Sequence, residues 1–223
     1  MEVYMLDKLP IFHVVFKNLR QMGFTVLRFS EYYDSPKFTG LVFDHEKFIE
    51  SYAQENGKLT YGSDWSGHNF PGTVLAPFRL GMFNPLWKKE KIFLDLFHWV
   101  QGDFYIITTC ETDPDIVAHE IVHGLYYLYP AYAEEVRACL AVHDMVKMYT
   151  FLTHAGYDTA VQEDEANAYL LTGLYGAMEE EDNPALRLKL DRIFIKYFGY
   201  SIRGIAGRAY FISRIHRMEF PSF

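Results

Sequence analysis

The sequence predicts an α+β protein with a sheet in its first half, a helical second half and one histidine-bearing helix at the junction. Three observations carry this expectation. Short runs of β-branched and aromatic residues, broken by Gly, Pro, Asn and Asp, are confined to residues 1–112. From Asp113 onward helical periodicity is almost continuous, predicting helices over 114–127, about 131–153, about 159–177 and about 184–198. Between the two lies Ala118-His119-Glu120-Ile121-Val122-His123-Gly124, on a helix with its own start signal. We expect one domain over 1–223, with 1–112 mainly sheet-forming and 113–223 helical.

Taken in order, Leu9-Pro10 through Met22 reads as a helix entered at a proline and ended by Gly23, followed by a strand over Phe24–Phe29. Ser35-Pro36 and Gly40 bracket a loop before a short strand, Leu41–Phe43, and Asp44 caps a polar helix that runs to Gly57. Lys58–Gly72 reads as an exposed loop, with Trp65 covering the core edge and His68 solvated. Thr73–Ala76 is expected to be a strand, Asn84-Pro85 to open a helix through about Phe97, and Phe104–Thr109 to form the strand before the motif. No internal repeat or low-complexity linker interrupts the chain.

Composition narrows the function classes. Half of the 223 residues are hydrophobic, with 19 Phe and 17 Tyr, so a large aromatic core is expected and disorder is not. Lys plus Arg number 21 against 29 Asp plus Glu, a net charge of −8 that argues against a nucleic-acid partner held by phosphate neutralisation. The one basic region, Arg203 to Arg208 with Arg214, His216 and Arg217, reads as a solvated or internally paired face. The start lacks a basic segment followed by an apolar core, and no apolar run reaches membrane-spanning length, so a cytoplasmic protein with no membrane partner is expected. Cys110 and Cys139 form no C-x-x-C pair and read as buried free thiols of a reducing compartment. Oligomeric state is not legible in the sequence.

The motif at the junction carries the chemistry. His119 and His123 stand one helical turn apart, so both imidazoles can reach one metal ion, expected to be Zn²⁺. Glu120 lies beside the first of them, where its carboxylate can take a proton from a water activated by the metal and pass it to a leaving amine. Thr112-Asp113-Pro114-Asp115 supplies a capping side chain, a proline near the first helical position and an acid for the positive end of the dipole. Ile116, Val117, Ile121, Leu125 and Leu128 give this helix an apolar surface to bury.

A strand leading into an H-E-x-x-H helix resembles the zincin metallopeptidases over about a third of the chain. The resemblance implies a mixed sheet meeting a helical part at the metal helix, with a sheet edge that holds an extended peptide. Zincins are sorted by their third ligand, which two histidines and a water require. Metzincins continue the motif to a further His or Asp, where this chain has tyrosines, Tyr127 among them, poor ligands as neutral phenols, so that subclass is rejected. Gluzincins take a Glu from a later helix, and Gln162-Glu-Asp-Glu-Ala-Asn-Ala-Tyr-Leu170 offers two registers. Glu163 would bring Asn167 as a residue orienting a histidine. Glu165 shares a helical face with Val161, Ala168, Thr172 and Gly176, mostly small side chains that permit the close approach a short Glu needs. A looser likeness to uncharacterised H-E-x-x-H proteins of tailed bacteriophages also favours Glu165. Glu135 is a more distant alternative, and a plain solvated first turn would also explain Glu163-Asp164-Glu165.

The resulting expectation is a zinc-dependent hydrolase that cleaves peptide bonds in a peptide or protein substrate, with Glu120 catalytic and His119, His123 and Glu165 binding the metal. The alternative is a non-catalytic or regulatory metal-binding module for a protein partner. His143, His154, Tyr157 and Tyr169 are candidates for stabilising a developing oxyanion, with none singled out.

Overall fold

Tyr105–Thr109, the run YIITT, is buried at all five positions, as a strand covered on both faces must be. It is β4 of a mixed sheet that also contains β1 (Glu2–Met5), β2 (Ile11–Val15), β3 (Gly67–Pro71) and a two-residue β5 (Met218–Glu219). The order is β3-β4-β2-β1-β5, with β2 and β4 parallel at its centre and the other pairings antiparallel. The computed structural model describes residues 1–6, 9–110, 114–173, 183–202 and 218–219. They fall into two compact units, Met1–Thr112 with Ile215–Phe223, and Asp113–Arg214. The first holds the sheet and the second is helical, so the protein is α+β. Among the described residues no helix is long and apolar enough to cross a membrane.

In the first unit several expected elements change identity. Residues 11–15 form β2, and the helix begins only at Leu19, running as α1 to Tyr33 through the stretch expected to be a strand. Asn18 decides this: its backbone is extended and its side chain accepts from the Gln21 N–H at 2.8 Å, capping a helix that starts beside it. Val26, Leu27 and Phe29 are buried from that helix. Gly23 does not end it. A Cβ there would stand 3.0 Å from Gly62 Cα, so this glycine permits close backbone approach within the helix. Asp44 caps α2 (His45–Asn56) as expected, while 41–43 is no strand and leaves Leu41 and Val42 exposed.

The expected loop over 58–72 instead holds α3 (Tyr61–Asp64) and β3. Trp65 is exposed, but His68 is only 7% exposed, the reverse of a solvated residue. Residues 73–76 are not a strand either: a 3₁₀ turn, Gly72–Leu75, leads into α4 (Ala76–Arg79). The helix expected from Asn84 begins at Lys88 and is the shorter α5 (Lys88–Asp95). The core is aromatic as composition predicts. Phe29, Phe70, Phe78 and Phe93 meet in one cluster, with ring centroids 4.2 Å apart for Phe29 and Phe78 and 5.3 Å for Phe29 and Phe93.

A charged group is buried within this unit. Arg28 donates through Nε and a terminal nitrogen to the two oxygens of Glu90, each at 2.7 Å, and to the Phe83 carbonyl at 3.0 Å. Glu90 also accepts from the Trp87 N–H at 2.7 Å, and His45 stacks on Trp87 with ring centroids 3.3 Å apart. Such a pair is tolerated only when every lone pair and N–H finds a partner. The arrangement ties α1 to α5 and fixes Trp87 at the start of α5.

The second unit contains α6 (Pro114–Leu128), α7 (Pro130–Ala141), α8 (Val146–His154), α9 (Gln162–Thr172) and α10 (Pro184–Phe198). The single helix expected over 131–153 is two. Asp144 breaks it by accepting from the Val146 N–H at 3.1 Å, offering the backbone a turn in place of a continuing helix. Gly173, at φ 127°, ends α9, so the helix expected to 177 stops at Thr172 and residues 174–177 lie outside those described. Asn183 caps α10 by accepting from the Leu186 N–H at 3.0 Å. The expected Thr112-Asp113 cap of α6 and the basic segment from Arg203 also lie outside the described residues.

Candidate metal centre

The pattern of α6 sets its two faces. Ala118, Ile121, Val122 and Leu125 are buried at 1% exposure or less, while the neighbouring face carries His119 and His123 toward α9. α9 packs directly against α6. It can lie close because Ala166 and Ala168 are small and fully buried, which brings the short carboxylate of Glu165 within reach of both histidines.

The resulting geometry is specific. His119 Nε2 lies 3.6 Å from Glu165 Oε2, and His123 Nε2 lies 3.6 Å from Glu165 Oε1. One nitrogen from each ring and one oxygen from Glu165 all fall within 4.8 Å of one another, a group that can hold a metal ion. The opposite edges of both rings are engaged by α9 as well. Asp164 Oδ2 is 2.9 Å from His123 Nδ1, and Thr172 Oγ is 3.4 Å from His119 Nδ1. The Thr172 hydroxyl donates to the Ala168 carbonyl at 2.8 Å, so its oxygen is left to accept from His119 Nδ1–H. Both outer nitrogens thus have an acceptor for an N–H, which leaves both Nε2 atoms facing inward, where that of His123 offers a lone pair once a metal displaces its proton.

Charge in the site is strongly coupled. Burial, the largest influence on His123, disfavours its protonated form, yet Asp164, Glu165 and Glu120 together carry its pKa up to about 10. Burial raises Asp164, with His123 opposing it and Glu165 adding to the rise. Burial also pushes Glu165 up, but His123 and His119 hold it below its ordinary value. Three carboxylates around two imidazoles favour any cation that enters, be it a proton or a metal. Tyr169 packs its ring against His119, with centroids 4.6 Å apart, and its hydroxyl pairs with that of Tyr157 at 3.0 Å. Burial and the charge of Glu165 raise the Tyr157 pKa, while Tyr169 is raised by burial and by Glu165 despite the opposing Tyr157 hydrogen bond. Both phenols therefore keep their protons.

The structure brings His119, His123 and Glu165 together, with Glu120 close enough for its charge to act on His123, Tyr157 and Tyr169. Glu163 is not in this group. Asn167 does not orient a histidine but pairs its amide with the Tyr132 hydroxyl in the core, at 3.1 and 3.3 Å. Glu135 is taken by Lys196 and Tyr197, at 2.5 and 3.0 Å. Tyr127 is exposed, as is His154, and His143 turns its Nδ1 to the Cys139 carbonyl at 2.6 Å. Two residues went unassigned in the sequence reading, Asp164 and Thr172. Asp164 was visible only as one of three consecutive acids, and its place about 100° around the helix from Glu165 is the signal that it can flank the same ring.

No family model, curated protein or solved structure matches this chain.

Proposed function

We propose that this chain is a zinc-dependent hydrolase of gluzincin type that cleaves peptide bonds. The observation supporting it is that Glu165 faces the inner nitrogens of both motif histidines, while Asp164 and Thr172 hold their outer edges. The donor set suits the ion. Two imidazoles and one carboxylate are the three protein ligands of an open catalytic site, whereas a structural zinc is closed by four. Glu165 Oε2 is buried without a hydrogen-bond partner, a placement that calls for a cation nearby. The side chains of His119 and Glu165 are 13% and 14% exposed, so solvent reaches the cluster.

Zinc held by His119, His123 and Glu165 would supply polarisation of a substrate carbonyl and a lowered pKa for an attacking water. Glu120 takes the proton of that water on its carboxylate and returns it to the departing amine nitrogen. Asp164 keeps a proton on His123 Nδ1, which holds the Nε2 lone pair inward through the cycle. Tyr157 and Tyr169, both protonated, offer O–H donors for the charge that develops on the carbonyl oxygen.

The test is Glu120→Gln, assayed on a peptide library beside a zinc determination. The amide keeps the side chain's size and loses the base, so zinc content should stay at one per chain while hydrolysis falls by about 10²–10⁴. Hydrolysis at the wild-type rate in this variant rejects the mechanism. Zinc bound with no cleavage of any peptide by the wild type favours a non-catalytic metal-binding module.

A further inference from the structure

The sheet-bearing unit carries a second feature with chemical character, a cleft of about 470 Å³ lined by Asn18, Arg20, Gln21, Phe24, Trp87 and Lys89. Its cations lean on aromatic faces. Lys89 Nζ is 4.5 Å from the Trp87 ring centroid and 5.1 Å from that of Phe24, and the Arg20 guanidinium is 6.0 Å from Phe24. Among the described residues neither cation makes an ion pair. The nearest acid in sequence, Glu90, is committed to Arg28, His45 and the Trp87 N–H.

That is unexpected on electrostatic grounds. A chain of net charge −8 has ample carboxylates to neutralise an exposed Arg20 and a half-buried Lys89, and rings alone compensate such charges weakly. Burial, the largest influence, brings the Lys89 ammonium down to about 8, with Glu90 opposing it and a smaller effect of the Arg20 charge adding to the fall. The walls are also held in place. Trp87 is fixed by its N–H to Glu90 and by the stacked His45, and Asn18 is fixed by its bond to the Gln21 N–H.

We propose that this cleft binds a small organic oxyanion, a carboxylate or phosphate carried on a flat apolar group: Lys89 and Arg20 swing from the rings onto the anion, and the faces they leave on Trp87 and Phe24 cover the flat group. The oxygen atoms receive charge-assisted hydrogen bonds, and the ring surfaces give the apolar part an area to cover. A bare anion satisfies only half of the site, and a neutral ring only the other half.

The full-length chain should be titrated with benzoate, phenyl phosphate and acetate at low ionic strength, read by calorimetry and by tryptophan fluorescence. Benzoate or phenyl phosphate, or both, should saturate at one per chain, with acetate at least about tenfold weaker. Lys89→Gln should weaken the aromatic anion by about tenfold or more, whereas Lys91→Gln, the same charge change on the same helix outside the cleft, should stay within about twofold. Equal urea midpoints for the two variants and the wild type establish that folding is unaffected. Failure of both aromatic anions to saturate at about 10 mM overturns the proposal, and so does an equal loss in Lys89→Gln and Lys91→Gln, which would assign binding to diffuse charge.

Discussion

Glu163 and Glu165 differ by two positions, and that interval decides their roles. At about 100° per residue they stand about 160° apart around α9, so only one of them can face α6. Glu165 is the one placed between the histidine Nε2 atoms. Glu165→Gln, which keeps the shape and removes the charge, should therefore weaken zinc affinity by about 10-fold to 100-fold or more. Glu163→Gln should leave it nearly unchanged. Isothermal titration with a zinc buffer checks both, and loss of zinc in the Glu163 variant with retention in the Glu165 variant would reverse the assignment.

At the scale of elements, the sheet carries a pH dependence separate from the histidine–carboxylate cluster of the helical unit. His13 in β2 and His68 in β3 are buried, and burial lowers each from 6.5 to about 4 in the folded chain. Below about 6.5 the unfolded chain takes up protons that these folded histidines refuse. Stability is thus complete above 6.5 and falls as pH drops toward 4, by up to about 3 kcal/mol per histidine. His45 is also lowered, by burial, and acts in the same direction. His123, raised to about 10, varies in its contribution between 6.5 and 10 and leaves the acid window undisturbed. Urea midpoints at pH 7 and pH 5 should show the loss, and His68→Gln should shrink it. A midpoint unchanged between these two pH values would contradict the assignment.

The same elements show what was legible in the sequence. The helix bearing the motif, the strand before it and the helix at Pro184 were readable because each has a strong local signal: a helical His pair, a continuous β-rich run, and sustained helical periodicity. The misread elements depended on tertiary contact. Gly23 looks like a helix end in the sequence, and only the approach of Gly62 explains its place inside α1. His68 reads as a polar loop residue until pairing with β4 buries it, with Ser30 Oγ 3.0 Å from its Nδ1. The place of Glu165 beside the two histidines was half legible. The small-residue face of α9 points to Glu165, whereas the one sign that Asp164 would take the outer nitrogen of His123, its place a single residue before Glu165, is hidden in a run of three acids.

For the molecule as a whole, each of the two compact units buries apolar residues and a charged group of its own. The unit of residues 1–112 and 215–223 has a continuous aromatic core and a paired buried charge, while the α6–α9 contact in residues 113–214 brings carboxylates and imidazoles together. If zinc binds there, free metal at a thousandfold excess over its dissociation constant stabilises the native form by about 4 kcal/mol. Hydrogen exchange with zinc present should then slow in peptides from α6 and α9, with those from β1 to β4 unchanged. Protection that does not change in α6 and α9 would count against metal binding at this cluster.

Consecutive residues of one helix grip the two edges of a single ring, Glu165 toward His123 Nε2 and Asp164 on Nδ1. In mechanical terms the imidazole is a key held in a two-pronged lock. A twist of α9 that moves one prong moves the other by the same angle, and a slide of one residue along its axis, about 1.5 Å, takes both off the ring together. Engagement of this ring is therefore all or none with respect to helix rotation, and it ties the rotational setting of α9 to that of α6.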